Sequence, residues 1–138
     1  MVLLGQGNKV MEISYFVDDK KIDAEEFIAM ANKVWPRNYD QKKTASALNK
    51  TLNITARNGN ELVGCVRVLT DGVYFGTITE ILVVPEFQKQ GVGAQLMRLV
   101  ESSTPTKLYF GAQPQAEKFY EKLGYEKSYT SFMIKPQK

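Results

Sequence analysis

The amino-acid sequence predicts an α/β domain with a mixed, mostly antiparallel sheet and elements in the order βααβββαβαβ. Three observations carry this expectation. The spacing of apolar residues switches along the chain between a period of two and a period near 3.6, so strand-like and helix-like segments follow one another. Asn58-Gly59 and Asp71-Gly72 each lie between strand-like runs, a tight-hairpin signal, and together they imply a meander of three strands. After the last of these runs, a strand passes through a turn with two glycines, Gly91 and Gly93, into a helical pattern.

Each element has its own signal. Met11 opens a clean alternation in MEISYFV, and residues 12–17 read as the first strand. Residues 1–10 are taken as an N-terminal extension, with Met11 as an alternative start, and residues 11–138 as one domain. In IDAEEFIAMANKVW, Asp23 is placed to cap a helix, Glu26 to reach back to it, and Ile22 to staple onto Phe27. Phe27, Ile28, Ala31, Val34 and Trp35 form its apolar stripe, and Pro36 ends it. YDQKKTASALNKTL is a weaker second helix with Leu48 and Leu52 as anchors. ITARNGNELVGCVRVL and LTDGVYFGTITEILVV supply the meander. A helix from Gly91 to about Ser103 aligns Val92, Leu96, Leu99 and Val100. KLYFGA is a short strand, QPQAEKFYEKLG a helix with Gly124 as its stop, and YTSFMIK a last strand.

Composition narrows the function. With 138 residues, 43% hydrophobic and 24% charged, the chain is large enough for one buried core. No segment approaches the roughly 18 consecutive apolar residues of a membrane helix, and MVLLGQGNKV lacks the pattern of a signal peptide, so a cytoplasmic location without a membrane partner is expected. The single cysteine, Cys65, reads as a small core residue. The chain has no histidine, which removes Ser-His-Asp and Cys-His pairs and HExxH zinc sites; no metal site is expected. The formal charge of +3 is spread along the chain, and Lys42 and Lys43 make too short a basic run for a nucleic-acid partner. Catalysis is left to carboxylates, tyrosines, backbone amides or a cofactor.

The sharpest signal is ILVVPEFQKQGVGAQLM. The first amides of a helix have no internal partners and carry the positive end of its dipole, so a glycine-rich turn before a helix suits a phosphate. The P-loop and the dinucleotide-fold patterns are both absent. The series V-x-P-x-x-Q-x-x-G-x-G, from Val83 through Pro85 and Gln88 to Gly91 and Gly93, resembles the acetyl-CoA signature of the GNAT superfamily of N-acetyltransferases. GAQPQAEKFYEKLGYEK resembles that superfamily's later motif, with Ala116, Phe119, Tyr120, Gly124 and Tyr125 matching and Gln113 in the place of an asparagine. LVGCVRVLTDG is similar to the central hairpin of small bacterial members.

The resemblance implies a GNAT-like sheet whose central parallel strands splay apart, with acetyl-CoA as cofactor. It assigns the diphosphate to the turn at Gln88, Lys89, Gln90, Gly91, Val92 and Gly93, with Ala94 close by. Leu82, Val83 and Val84 would lie along the pantetheine arm, with one amide, that of Val83 the candidate, polarising the thioester carbonyl. Gln113, Phe119 and Tyr120 complete the cofactor contacts; Gln113, one methylene longer than asparagine, either keeps the family's contact or misses it.

Tyr120 matches the family's general acid for the leaving thiolate; its other reading is a core tyrosine on the stripe with Ala116, Phe119 and Leu123. Glu80, the one carboxylate in YFGTITEILVV, is the candidate proton acceptor, with an ion-paired or exposed strand residue and a water relay as the other readings. Arg67 either faces an anionic acceptor group or pairs with Glu80, the second being preferred. Tyr15, Trp35, Tyr39, Tyr74 and Phe75 are candidates for the acceptor pocket. The expected activity is direct acetyl transfer to a small-molecule primary amine by a monomer or homodimer. A protein lysine or N-terminal acceptor, or a CoA-binding module without turnover, are the alternatives.

Overall fold

The computed structural model describes residues 12–137; the reading of residues 1–10 and Met11 falls outside them. Four strands pair antiparallel in chain order: β1 (Ile13–Phe16), β2 (Leu52–Asn58), β3 (Glu61–Thr70) and β4 (Gly76–Val83). Helices α1 (Ala24–Val34) and α2 (Gln41–Leu48) lie between β1 and β2, and α3 (Val92–Ser103) and α4 (Glu117–Lys122) follow β4.

Local chemistry sets these boundaries. The Asp23 carboxylate accepts the Glu26 amide at 2.8 Å and the Glu26 carboxylate accepts the Asp23 amide at 3.2 Å, a capping box that starts α1. Asp40 caps α2 through the Lys43 amide at 2.8 Å. Helix α2 is shorter than the sequence suggests, and Leu52 belongs to β2. The first hairpin turns at Gly59-Asn60, one residue later than the Asn-Gly pair, since Asn58 opposes Glu61 and Gly59 takes the positive φ of 63°. The second hairpin is looser than expected. Thr70 opposes Gly76, and the intervening loop is held by Asp71, whose Oδ1 accepts the amides of Val73, Tyr74 and Phe75 at 2.8, 2.8 and 3.0 Å.

Both faces of the sheet are covered. β2 and β3 each bury five consecutive residues, a pattern that a one-sided sheet does not give. Gly64 faces α3, where an added Cβ would stand 3.3 Å from Leu96 Cδ1, while Arg67, three residues on and so on the opposite face, lies over the Phe27 ring of α1. The core joins Phe27, Met30, Ile54, Val66, Leu96 and Met97 with their neighbours. Fully buried Cys65 is part of it, and burial pushes its thiol up, as the core reading of that residue anticipates.

The expected last two strands are corrected. Residues 107–112 make a single parallel bridge, Tyr109 to Thr77, with the Tyr109 amide donating to the Gly76 carbonyl at 3.0 Å. Residues 129–135 form no strand. A ladder one residue long offers them no edge to join, and Tyr129, Phe132, Met133 and Ile134 stand exposed, with Tyr129 stacked on Tyr109.

One stabilising cluster has no counterpart in the sequence reading. Arg57 of β2 donates from Nε to Asp19 Oδ2 at 2.9 Å, and from Nη1 and Nη2 to the two Glu26 oxygens at 2.9 and 2.8 Å. Thr55 Oγ1 also donates to Asp19 Oδ2, at 2.7 Å. All four side chains are thus tied into one network that clamps α1 onto the sheet.

Candidate active site

β4 and residues 107–112 touch at Thr77 and Tyr109, and beyond that bridge both contribute to the lining of one cleft with a volume of about 1080 Å³. Among the described residues the two segments pair at that one parallel bridge and nowhere else. Ile78 to Val83 line the cleft from β4, and Gly111, Ala112 and Gln113 from the later segment. In an antiparallel pair alternate amides point away from the partner strand, so β4 turns those amides toward the gap.

One end of the cleft is the turn before α3, where Gln88, Lys89, Gly91, Gly93 and Ala94 line it. Gly91 is the helix N-cap at φ 89° and has no side chain with which to cap, so the first α3 amides lack a side-chain partner. Lys89 also holds a positive φ, 62°, uncommon for a residue with a Cβ. The Gln88 side chain donates to the Val83 carbonyl at 2.8 Å and fastens the turn to the end of β4. Consecutive amides in such a turn, with the helix dipole behind them, suit an anion.

Tyr120 lines the cleft half-buried, its ring edge-on to Phe110 and Phe119 with centroids 5.0 Å away in each case. Burial alone raises its pKa, so it holds its proton throughout the neutral range. Phe119 lines the same wall, with Gln113 and Ala116. Across from them, Glu80 and Arg67 sit at directly opposed positions of β4 and β3. Arg67 donates from Nε to Glu80 Oε2 at 2.6 Å and from Nη2 to Oε1 at 3.1 Å, and Thr79 Oγ1 donates to Oε1 at 2.8 Å. The pairing reading of Arg67 is the one seen. Oε1 is filled by two donors, whereas Oε2 takes one and keeps an acceptor position.

Phe27, Trp35, Arg37, Tyr39, Thr44 and Ala47, from α1, α2 and the loop between them, also line the cleft. Of the acceptor-pocket candidates, Trp35 and Tyr39 line the cleft. Tyr15, Tyr74 and Phe75 do not: Tyr15 lies on β1, and Tyr74 and Phe75 stand exposed in the second hairpin loop, Phe75 stacked on Tyr109. Among the cofactor candidates, Leu82, Val83, Gln88, Lys89, Gly91, Gly93, Ala94, Gln113, Phe119 and Tyr120 share the cleft. Val84 and Val92 are instead buried in the core, and the Gln90 side chain turns to the Glu86 carbonyl at 3.0 Å. Arg37 escaped the sequence reading because PRNYD shows only a loop signal, and Thr44 because it lies in a helix read there only for its apolar anchors.

Among the described residues no helix is long and apolar enough to cross a membrane, and no group of three His, Cys, Asp or Glu could hold a metal ion.

The fold sets an uncapped glycine turn at a strand-to-helix junction beside a cleft, and comparison with known proteins gives the class. The family model described as the acetyltransferase (GNAT) domain matches residues 18–134, and the chain belongs to that family. A histone acetyltransferase from Glycine max is 29% identical over 121 residues, covering 76% of this chain and 52% of its own. The chain spans about half the length of such curated relatives, 48% of one and 52% of the other from that plant. A GNAT family acetyltransferase from Streptococcus pneumoniae TIGR4 has the same fold, with a TM-score of 0.75 at 19% identity over 92% of this chain and 100% of its own. An aminoglycoside N-acetyltransferase, AAC(6')-Iy, solved in complex with CoA, superposes with a TM-score of 0.71 at 15% identity, covering 98% and 99% of the two chains.

Proposed function

We propose that this chain is an acetyl-CoA-dependent N-acetyltransferase that transfers acetyl directly to the primary amine of a small molecule. The observation that carries the reading is one continuous cleft, with uncapped α3 amides at one end and the protonated Tyr120 hydroxyl along its wall. The residues fit the cofactor: Gly91 leaves open space where a Cβ would be, and Gly93 leaves the turn clear beside Phe119.

Acetyl-CoA, when bound, supplies the acetyl group as an activated thioester. The turn from Gln88 to Ala94 would hold the diphosphate, with Lys89 adding charge. Leu82 and Val83 would align the pantetheine arm, and the Val83 amide would donate to the acyl oxygen as negative charge develops there. Tyr120 Oη would give its proton to the departing thiolate sulfur. The remaining acceptor position on Glu80 Oε2 would take the proton of the incoming amine directly or through one water. Holding amine and acyl carbon together in a ternary complex supplies much of the rate. The proposed unit is residues 11–138, as a monomer or homodimer in the cytoplasm, a setting suited to the reduced, buried Cys65 thiol.

Calorimetric titration with acetyl-CoA tests the reading, with Ala94→Glu placing a carboxylate at the phosphate turn. Micromolar binding that the variant loses while it melts like the parent supports it; absence of binding by the parent protein removes it. The module without turnover draws support from Glu80, three of whose acceptor positions are filled. Tight CoA binding with no product from amines or lysine peptides would establish that alternative.

A further inference from the structure

Arg37, a cation lining the cleft, takes part in no salt bridge among the described residues. Resting on the acetyltransferase reading, we propose that the acceptor is a monoamine that also bears a carboxylate on an aromatic or apolar body, and that Arg37 recognises the carboxylate.

The charges lining the cleft are Arg37, Arg67, Lys89 and Glu80. Arg67 is committed to Glu80 by two hydrogen bonds, and Lys89 belongs to the turn before α3. Arg37 is left. It takes part in none of the salt bridges among the described residues. Its backbone and the ring beside it are held locally, while the side chain itself is exposed. Its backbone amide donates to Asn32 Oδ1 at 3.0 Å, Tyr39 Oη donates to the Trp35 carbonyl at 2.9 Å, and the guanidinium lies 5.7 Å from the Tyr39 ring centroid. A planar fork of donors held against an aromatic ring is well suited to a carboxylate.

The same inventory argues against a polycation. A polyamine or aminosugar needs several carboxylates to hold its ammonium groups, and among the described residues the cleft offers Glu80 alone, three of its acceptor positions already filled. A second ammonium would meet Arg37 without compensation. The surrounding walls, Phe27, Trp35 and Tyr39, instead offer apolar and aromatic area to the body of the acceptor.

The test uses the protein saturated with CoA and two probes that differ by one carboxylate, benzylamine and 4-(aminomethyl)benzoate, with spermidine as the polycation. Calorimetry is expected to show the carboxylated probe binding at least about tenfold tighter than benzylamine, the size of one charge-assisted hydrogen bond. Arg37→Gln should bring the two probes within about twofold, and Arg37→Lys should keep part of the preference. Equal binding of the two probes, including none by either, or preference for spermidine, overturns the proposal. Acetylation of the same amines reads the enzyme separately. Arg37-dependent binding without product keeps the anion site and removes the acetyltransferase reading; product formed best from spermidine does the reverse.

Discussion

Gly93, in the first turn of α3, and Phe119, in α4, meet so closely that a Cβ on Gly93 would stand 3.3 Å from Phe119 Cζ. The missing side chain is therefore what lets the aromatic wall approach the start of the helix. Placing alanine there has opposed effects. Alanine favours a helix over glycine by about 1 kcal/mol, which offsets the crowding, so the melting temperature should change little. Acetyl-CoA binding should weaken by roughly tenfold as Phe119 is pushed into the cleft, and Gly93→Val should weaken it further. Calorimetry and thermal melts check this, and unchanged affinity in both variants would refute the role given to the contact.

Gly91 is needed for a different reason. Nothing lies within 4 Å of its missing Cβ, but its φ of 89° is one that a side chain resists. Gly91→Ala is expected to cost about 1 kcal/mol in urea denaturation despite the free space. Lys89→Gly should relieve strain at φ 62° yet weaken binding of the diphosphate. A Gly91→Ala protein as stable as the parent would show that the turn is not held in this conformation in solution.

The turn and the helix behind it were legible because local rules govern them: glycine at positive φ, free amides at a helix start, and a change of apolar period. The capping box at Asp23 was legible for the same reason. Sequence reading failed where the cause is non-local. Arg57 is an unremarkable strand residue until Asp19, 38 positions earlier, and Glu26, 31 earlier, fold against it. Arg37 has only a proline beside it to mark it. The pattern of residues 129–135 predicts a strand, but a strand needs a neighbour, and the neighbouring segment pairs at one residue.

The Arg57 network predicts a pH dependence. Burial of Asp19 pushes its pKa up, but hydrogen bonds from Thr55, Arg57 and the Lys21 amide outweigh it and hold the carboxyl below its usual value. A carboxyl depressed in the folded state stabilises the fold above its unfolded pKa of about 3.9 and loses that contribution as pH falls through the folded value. Stability should therefore drop below about pH 4, and less steeply in Asp19→Asn. Arg57→Met should cost about 3–5 kcal/mol, since it leaves the Asp19 carboxylate, 7% exposed, without its cation. Denaturation curves across pH decide both; a loss under about 1 kcal/mol for Arg57→Met would mean the network is weakly coupled to folding.

Tyr120 and Glu80 are separable by kinetics. Tyr120→Phe removes one oxygen from a ring packed between Phe110 and Phe119, so the fold and acetyl-CoA affinity should survive while kcat falls by roughly 10²-fold. Because burial raises the Tyr120 pKa, the parent's loss of activity from its deprotonation should begin above the ordinary tyrosine value of about 10 and vanish in the variant. Glu80→Gln keeps a carbonyl acceptor for Arg67 but removes the basic oxygen, so kcat should fall by about tenfold or more with CoA binding unchanged. Arg67→Met supplies the contrast. If Glu80 acts only as a structural partner, Glu80→Gln and Arg67→Met will cost similar stability and leave kcat alike. If it accepts the amine proton at Oε2, Glu80→Gln will lower kcat well beyond its effect on stability, and the variant will retain the parent's affinity for acetyl-CoA.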